Sequence, residues 1–557
     1  MEKAGNQRFA RNIIAGVPGM IHFVSTFPPI VCGVGSYTDY LTRHLDNWRV
    51  TSFETDQSRN AVINSSDERV SYELSLGPCH FPSSADRRQL VWFQHAFGIW
   101  GKDSDQFTDL VGRLKRKGTK TAATFHTIHF ESTETESGLT MREERLMGAV
   151  LPLLDFATVF SDGARRALSE AFPWFATKIV VLRHGAHSYS AIGRNEARRR
   201  LLRHLAERTE NFTDMAEDLL SPATIIMGNF GFVTPDKDPL ALYEIGERVR
   251  RRLPGQRIVT LYAGTIANRA DRKKSETMEL LRQLRFVHDG RNNLFFEEYL
   301  PEDLLPYAFR ALDLCVFWCR NATQSGRIAH ALGSRTCIVG RRIEGIGETL
   351  DLAGLLSVVS ADDLVEQIVR LILDPASRRQ SEKLGAEYAE RYSFEKQARK
   401  HVLLNGALEE ERELPALDRN EPDVTFVLPR LGIASRNGLE RLQDQDVAFL
   451  NVADDVDFHP APSIYCRIAL RDGTAIPAEK MREAVEWIRR HIAQRRVVVL
   501  CRYGRGRSAS VVIAYLCGAG GMAYGDAMDL VARHRAGTAP LPELAHTIEL
   551  VYRNSGA

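Results

Sequence analysis

Over roughly the first four hundred residues, short apolar runs alternate with stretches whose apolar positions recur every three to four residues. The runs 20–26 (MIHFVST), 90–95 (LVWFQH), 120–127 (KTAATFHT), 157–161 (ATVFS) and 178–185 (KIVVLRHG) predict strands, each ending near Gly, His, Ser or Pro. A second series follows at 223–232, 257–265, 293–300, 312–319 and 336–340. Helical patterns fill the intervals, as in GSYTDYLTRHLD (35–46), and 376–404 reads as helices that close the region. Continuous apolar strands separated by helices belong to parallel sheets covered on both faces. The two series predict two Rossmann-like domains, at 18–188 and 223–404, joined by a helical connection at 189–222. Ligands of such sheets bind beyond the carboxyl ends of the strands, so a cleft between the two is expected.

The pattern breaks at 405–423, an acidic stretch with two prolines and little apolar content, which reads as a linker. It resumes over 424–557 as a smaller α/β domain. There 429–457 reads strand, helix, strand, and 464–473 is a strand ending at Asp472. Residues 480–496 are helical, 497–501 is strand-like, and further helices follow, including 523–537.

Composition narrows the class without naming it. The 557 residues are 44% hydrophobic and 26% charged, enough for several buried cores. A net charge of +2 makes no case for nucleic-acid binding. No apolar run is long enough to cross a membrane, and the first residues lack the pattern of a secretory signal. The eight cysteines form no Cys-x2-Cys pair, so no structural metal is expected. A reactive thiol would favour a reducing compartment, and a cytoplasmic protein is expected.

That thiol is Cys501. In VVVLCRYGRGRSASVVIAYL (497–516) a β-branched run delivers a cysteine into a glycine-bearing loop that opens an apolar helix. Loop amides and the positive helix end make such a turn a phosphate cradle, and they favour negative charge on the sulfur. Arg502, Tyr503, Gly504, Arg505 and Gly506 would form the cradle. Arg507 would present a planar fork to two phosphate oxygens. The chemistry implied is phosphoryl transfer to sulfur followed by hydrolysis.

This segment resembles the dual-specificity branch of the cysteine-dependent protein tyrosine phosphatases. The resemblance implies Cys501 as nucleophile, Arg507 as phosphate clamp, Ser508 as helper of thiophosphate breakdown and Asp472 as general acid, with Asp454, Asp455 and Asp457 as the next acidic candidates. The family usually places histidine before the cysteine, where Leu500 stands here.

Upstream, FPPIVCGVGSYTDYL, QHAFGIWG, TFHTIHF, FSDGARRAL, LRHGAHS, GFVTPDKDPLALYEI and QSGRIAHALGSRTCIVGRRIEGIGE occur in that order. Together they resemble the retaining nucleotide-sugar glycosyltransferases of GT-B fold, over about 18–404. The resemblance implies that the Gly33–Gly35 loop borders the diphosphate of the sugar donor, His126 touches the donor sugar and Lys237 neutralises the leaving diphosphate. Ser325, Gly326 and Gly345 would line the donor pocket. The sugar donor is a substrate, and such enzymes do without a bound metal or other cofactor. Departures are Cys32 at the first loop glycine, Phe232 where an arginine is common, and Gln324 and His330 in place of a glutamate pair.

The expected function is bifunctional: glycosyl transfer from a nucleotide sugar to a phosphorylated acceptor, then removal of the phosphate. The alternative is a regulatory phosphatase acting on phosphoproteins, with a silent glycosyltransferase-like partner. The loop that sees the phosphate cannot tell the two apart. Arg502 and Arg505, projecting toward the cleft mouth, are the expected first contacts beyond it.

Overall fold

A computed structural model describes residues 19–53, 67–74, 90–100, 105–207, 213–266, 274–419, 424–435, 447–456, 464–502, 504–535 and 538–553. The chain forms two compact units, Met1–Arg419 and Asn420–Ala557.

The first unit holds two parallel sheets. Strands β1 (Ile21–Val24), β2 (Trp48–Phe53), β3 (Val70–Leu74), β4 (Leu90–His95), β5 (Lys120–Phe125), β6 (Phe156–Val159) and β7 (Ile179–Val181) pair in the order β3-β2-β1-β4-β5-β6-β7. Strands β8 (Ile225–Phe230), β9 (Ile258–Ala263), β10 (Asn293–Phe296), β11 (Leu314–Phe317), β12 (Cys337–Arg341) and β13 (Leu356–Val358) pair as β10-β9-β8-β11-β12-β13. Both orders reverse beside the first strand of the series, which opens a crevice at the carboxyl ends of β1 and β8. The central strands IHFV, LVWFQH, IIMGNF and IVTLYA are buried at every position, as sheets covered on both faces require.

Glu348, on the helix Glu344–Leu352 of the second sheet, accepts hydrogen bonds from the Asp162 and Gly163 amides. Those amides open the helix Asp162–Ala171 of the first sheet. The buried Arg183 also pairs with Glu348 and with Asp162. Glu344 accepts from the Phe130 and Glu131 amides. Glu348 thus meets both the unpaired amides and the positive dipole end of the helix Asp162–Ala171, and these contacts together tie the two layers.

Two expectations are corrected. The helix Phe394–Glu409 runs past the predicted end of the second domain, and its Phe394, Ala398 and Leu404 pack into the core of the first sheet. The stretch read as a linker is therefore structured over its first part. Asp418 is buried, accepting from the Arg183 amide at 2.9 Å and from Gln397 Nε2 at 3.0 Å, with Lys400 as its ion pair. Acidic composition there reflects a surface strap anchored by one buried carboxylate.

The second unit is a five-stranded sheet: β14 (Val424–Leu428), β15 (Leu431–Ala434), β16 (Val447–Ala453), β17 (Tyr465–Leu470) and β18 (Arg496–Leu500), ordered β14-β15-β18-β16-β17. Only the β14–β15 pair is antiparallel. The central strand is β18, so its carboxyl end, where Cys501 begins, lies at the middle of the sheet edge. Val511–Ala514 of the helix Arg507–Gly518 are fully buried against that sheet. No described helix is long and apolar enough to cross a membrane.

Candidate active sites

Cys501 leaves β18 buried at 2% exposure, and its Sγ accepts from the Gly504 amide at 3.2 Å. Sγ also lies 3.2 Å from Ser508 Oγ, in the first turn of the following helix. The loop turns on Gly504, whose φ of +67° suits glycine and whose missing Cβ makes room for Arg535 and the Ala434 carbonyl. It is tied from behind: Arg535 Nε donates to the Gly504 carbonyl at 2.9 Å, and the Ala539 amide to the Arg505 carbonyl at 3.1 Å. With its carbonyls held away from the cysteine, the loop turns an amide toward the sulfur.

Arg507 is 1% exposed, and its Nη1 donates to Asp454 Oδ1 and Asp455 Oδ1, each at 2.7 Å. Its buried Nε has no hydrogen-bond partner among the described residues. An orphaned guanidinium N–H costs free energy unless a ligand fills it, and a phosphate oxygen would do so. Asp472 Oδ2 stands 3.7 Å from Arg507 Nη2, and Oδ1 would lie 3.6 Å from a Cβ at Gly506. The Asp472 carboxyl is thus at the loop mouth, open to solvent on one side. It also accepts from the Gly473 amide at 3.1 Å, in a turn where Gly473 has φ +70°. Asp455 is partly buried, which opposes ionisation, but hydrogen bonds from Arg507 and Arg502 hold its carboxyl below the usual carboxylate range. An ionised, doubly paired Asp455 fits the role of a brace for Arg507 better than that of an acid.

In the first unit a cavity of about 250 Å³ lies between the two sheets. Gly33 reaches it from the start of the helix Gly33–Thr42, and Ser325, Gly326 and Arg327 from the start of the helix Gly326–Gly333. Lys237, in the turn Pro235–Lys237 after β8, lines it beside Phe232, with Nζ 5.2 Å from the ring centroid. Tyr37, Tyr40, His184, His187 and His330 supply an aromatic wall. Burial and the neighbouring Arg327 push the Lys237 amine down to about 7. His184 and His330 are pushed down by burial, to about 4 and about 3, so both are neutral hydrogen-bonding rings near neutral pH.

Comparison with known proteins finds similarity in both units. Residues 441–554 match the family of dual specificity phosphatase catalytic domains. Among solved structures, an α,α-trehalose-phosphate synthase (UDP-forming) from Burkholderia xenovorans, in complex with glucose-6-phosphate, is 12% identical with a TM-score of 0.51. It covers 70% of this chain and 100% of its own. Sucrose-phosphate synthase from Thermosynechococcus elongatus is 14% identical, with a TM-score of 0.50 over 71% of this chain and 100% of that one. The N-terminal domain of Candida albicans trehalose-6-phosphate phosphatase is 10% identical, with a TM-score of 0.50 over 71% and 97%. No curated protein sequence matches the chain. The chain joins a GT-B fold to a dual-specificity phosphatase domain.

In the phosphatase domain, Cys501, Gly504, Gly506, Arg507, Ser508 and Asp472 come together around one cradle, while Tyr503 and Asp457 lie outside the described residues. Arg502 does not reach out as a substrate contact: its Nε donates to Asp455 Oδ2 at 2.6 Å, which bends it toward the Arg507 brace. Leu500, in place of the usual histidine, is fully buried in the sheet core. Arg535 was not foreseen, because nothing local marks a buried arginine that follows a helix.

In the GT-B unit, Gly33, Lys237, Ser325 and Gly326 line the cavity, whereas Gly35, His126 and Gly345 do not. Gly35 allows close packing, since a Cβ there would stand 3.2 Å from the Thr26 backbone. A Cβ at Gly345 would collide with the Thr323 carbonyl oxygen. His126 is enclosed by Tyr37 and Phe160, and its Nε2 meets Gln94 Oε1 at 2.7 Å. Burial holds its pKa well below that of free histidine, so it braces the strand end as a neutral ring. The aromatic wall went unpredicted, because its rings are gathered from distant segments.

Two expected outcomes follow. Asp472→Asn lowers the phosphatase rate by about 10²-fold for a poor leaving group and much less for a nitrophenolate, which needs little protonation. Equal losses on both substrates would remove Asp472 as the acid. Anion binding in the GT-B cavity weakens as pH rises above about 7, because Lys237 must first take up a proton. Calorimetry in buffers of different ionisation enthalpy reads this as net proton uptake on the alkaline side. Affinity unchanged as pH rises through and beyond 7 would separate Lys237 from the bound anion.

Proposed function

We propose that the protein is a bifunctional enzyme that transfers a sugar from a nucleotide donor to a phosphorylated acceptor and then removes the acceptor's phosphate. The observation that carries this is a pair of anion sites in one chain. One is a cysteine cradle with an orphaned Arg507 Nε, and the other a cation-bearing cavity between two Rossmann-like sheets. The relatives' names support the acceptor class, since one is bound to glucose-6-phosphate and another carries this fold at the N-terminus of a sugar phosphate phosphatase.

In the first step the bond from the anomeric carbon to the diphosphate oxygen breaks. A bond to an acceptor hydroxyl oxygen forms, and the hydroxyl proton is released. Lys237 meets the charge developing on the departing diphosphate. In the second step Cys501 Sγ attacks phosphorus and the ester oxygen leaves with a proton from Asp472. Water then displaces the sulfur as inorganic phosphate is released, with Ser508 Oγ, 3.2 Å from Sγ, hydrogen-bonding the departing thiolate. Fusion keeps the phosphorylated intermediate near the second site, and hydrolysis makes the sequence irreversible.

The test presents the full chain with a panel of nucleotide sugars and sugar phosphates and follows nucleoside diphosphate release. Lys237→Ala is expected to weaken nucleoside diphosphate binding about 10- to 100-fold, the scale of a lost charge-assisted contact. Absence of binding by every common nucleotide sugar would leave the first unit a scaffold.

A further inference from the structure

Lys237 is not the only cation in the GT-B cavity. Arg327 lines it too, from the first turn of the helix Gly326–Gly333, and its side chain lies across Gly231, where a Cβ would stand 2.7 Å from Arg327 Cδ. Gly231 has a φ of +132°, so a bare backbone there admits the arginine. The Arg327 guanidinium lies near the Phe317 ring, 5.5 Å from its centroid, and one Nη meets the Cys319 sulfur at 3.6 Å, a weak acceptor. Its buried Nε has no hydrogen-bond partner among the described residues. Asp236, next to Lys237 in the chain, raises the Lys237 pKa less than burial and Arg327 lower it. The acidic residue that does line the cavity, Glu298, meets His204 Nε2 at 2.7 Å.

The two neighbouring cations repel each other, which is why Arg327 contributes, after burial, to lowering the Lys237 pKa. Such a pair is costly in an empty site and favourable once a polyanion enters. The surroundings suit an anion as well. The helices beginning at Gly33 and Gly326 both open on the cavity, and neither has its first-turn amides capped by its own N-cap side chain. A single phosphate would satisfy one cation. Two cations facing two uncapped helix starts match two linked phosphates.

We propose that Arg327 is the second diphosphate-binding cation of this cavity, gripping with Lys237 the linked phosphates of a nucleoside diphosphate. This rests on the nucleotide-sugar reading above and adds the residue that sets the charge of the leaving group the site accepts. Arg327 contributes a planar fork and Lys237 a point charge, so the two are not interchangeable.

The experiment titrates the full chain with UDP, GDP, ADP, inorganic pyrophosphate and the corresponding nucleosides by calorimetry, comparing wild type with Arg327→Gln and Arg327→Lys. Expected is a loss of about 10- to 100-fold in diphosphate and pyrophosphate affinity for Arg327→Gln and a smaller loss for Arg327→Lys, with nucleoside affinity unchanged. A structural role would instead weaken nucleoside and diphosphate alike. If Arg327→Gln fails to fold, Arg327→Lys, which keeps charge and bulk, carries the comparison through the same ratio of diphosphate to nucleoside affinity. Wild-type diphosphate affinity in the variants would overturn the role of Arg327 and leave the nucleotide-sugar reading standing. A wild-type protein that binds none of the diphosphates would overturn both.

Discussion

Cys501→Ser is expected to lose essentially all phosphatase turnover, at least about 10³-fold, while still binding phosphate or vanadate. The reason is a division of labour in the loop. In the proposed reaction the sulfur forms the bond to phosphorus. The Gly504 amide, the uncapped helix start and Arg507, which would hold the anion, are unaffected by the change. The carbonyls of Gly504 and Arg505 remain tied to Arg535 and to the Ala539 amide, so the cradle keeps its shape without the thiol. A steady-state assay on a small aryl phosphate, with anion binding followed by calorimetry, separates the two effects. Substantial residual turnover would rule out cysteine catalysis.

Arg507→Lys is expected to cost nearly as much although it keeps the charge, because a lysine cannot span the brace and the phosphate together. In the native arrangement Nη1 is committed to Asp454 and Asp455 while the buried Nε has no hydrogen-bond partner among the described residues. A lysine drawn to the two aspartates would leave the phosphate without its clamp. Both kcat and phosphate affinity should fall, by about 10²-fold or more, the range for removing a group that meets transition-state charge. Asp455→Asn should fall less, because Asp454 still braces the guanidinium. An Arg507→Lys enzyme near wild-type activity would show that the planar fork is not used.

These positions were legible in the sequence because their chemistry is local. A β-branched strand, a glycine loop and an apolar helix lie consecutively from Arg496 to Gly518, and short-range geometry brings Cys501 beside Ser508. Asp472 was readable for the same reason, as a strand-end aspartate before a glycine. The parallel strands were readable where they are apolar throughout, such as LVWFQH and IIMGNF. Strand β2, WRVTSF, was not, because its buried Thr51 and Ser52 break the apolar run. Thr51 is accommodated by His22 Nε2, 2.7 Å away on one neighbouring strand, and by Ser71 Oγ, which donates to it at 3.3 Å from the other. Strand β3 pairs at the sheet edge and carries a weak pattern. The return of the helix Phe394–Glu409 to the first sheet is a tertiary fact that periodicity cannot encode.

The glycines and histidine expected at a donor site show the limit of motif reading. Gly35, His126 and Gly345 sit where a motif would put ligand contacts, yet each does packing work one layer behind the cavity wall. Arg327, which does face the cavity, has no local signature. It becomes visible only when its unpartnered Nε, the bare backbone of Gly231 and the neighbouring Lys237 are seen in one place.

The claim that two reactions run in sequence on one chain is tested most directly by following phosphate and glycoside together. Wild type and Cys501→Ser are each incubated with a nucleotide sugar and a phosphorylated acceptor. Wild type is expected to release inorganic phosphate only when the nucleotide sugar is present and to yield the dephosphorylated glycoside. Cys501→Ser should release nucleoside diphosphate as wild type does but accumulate the phosphorylated glycoside. Phosphate release that is indifferent to the nucleotide sugar, with no glycoside formed by either protein, would contradict a sequential pair of reactions.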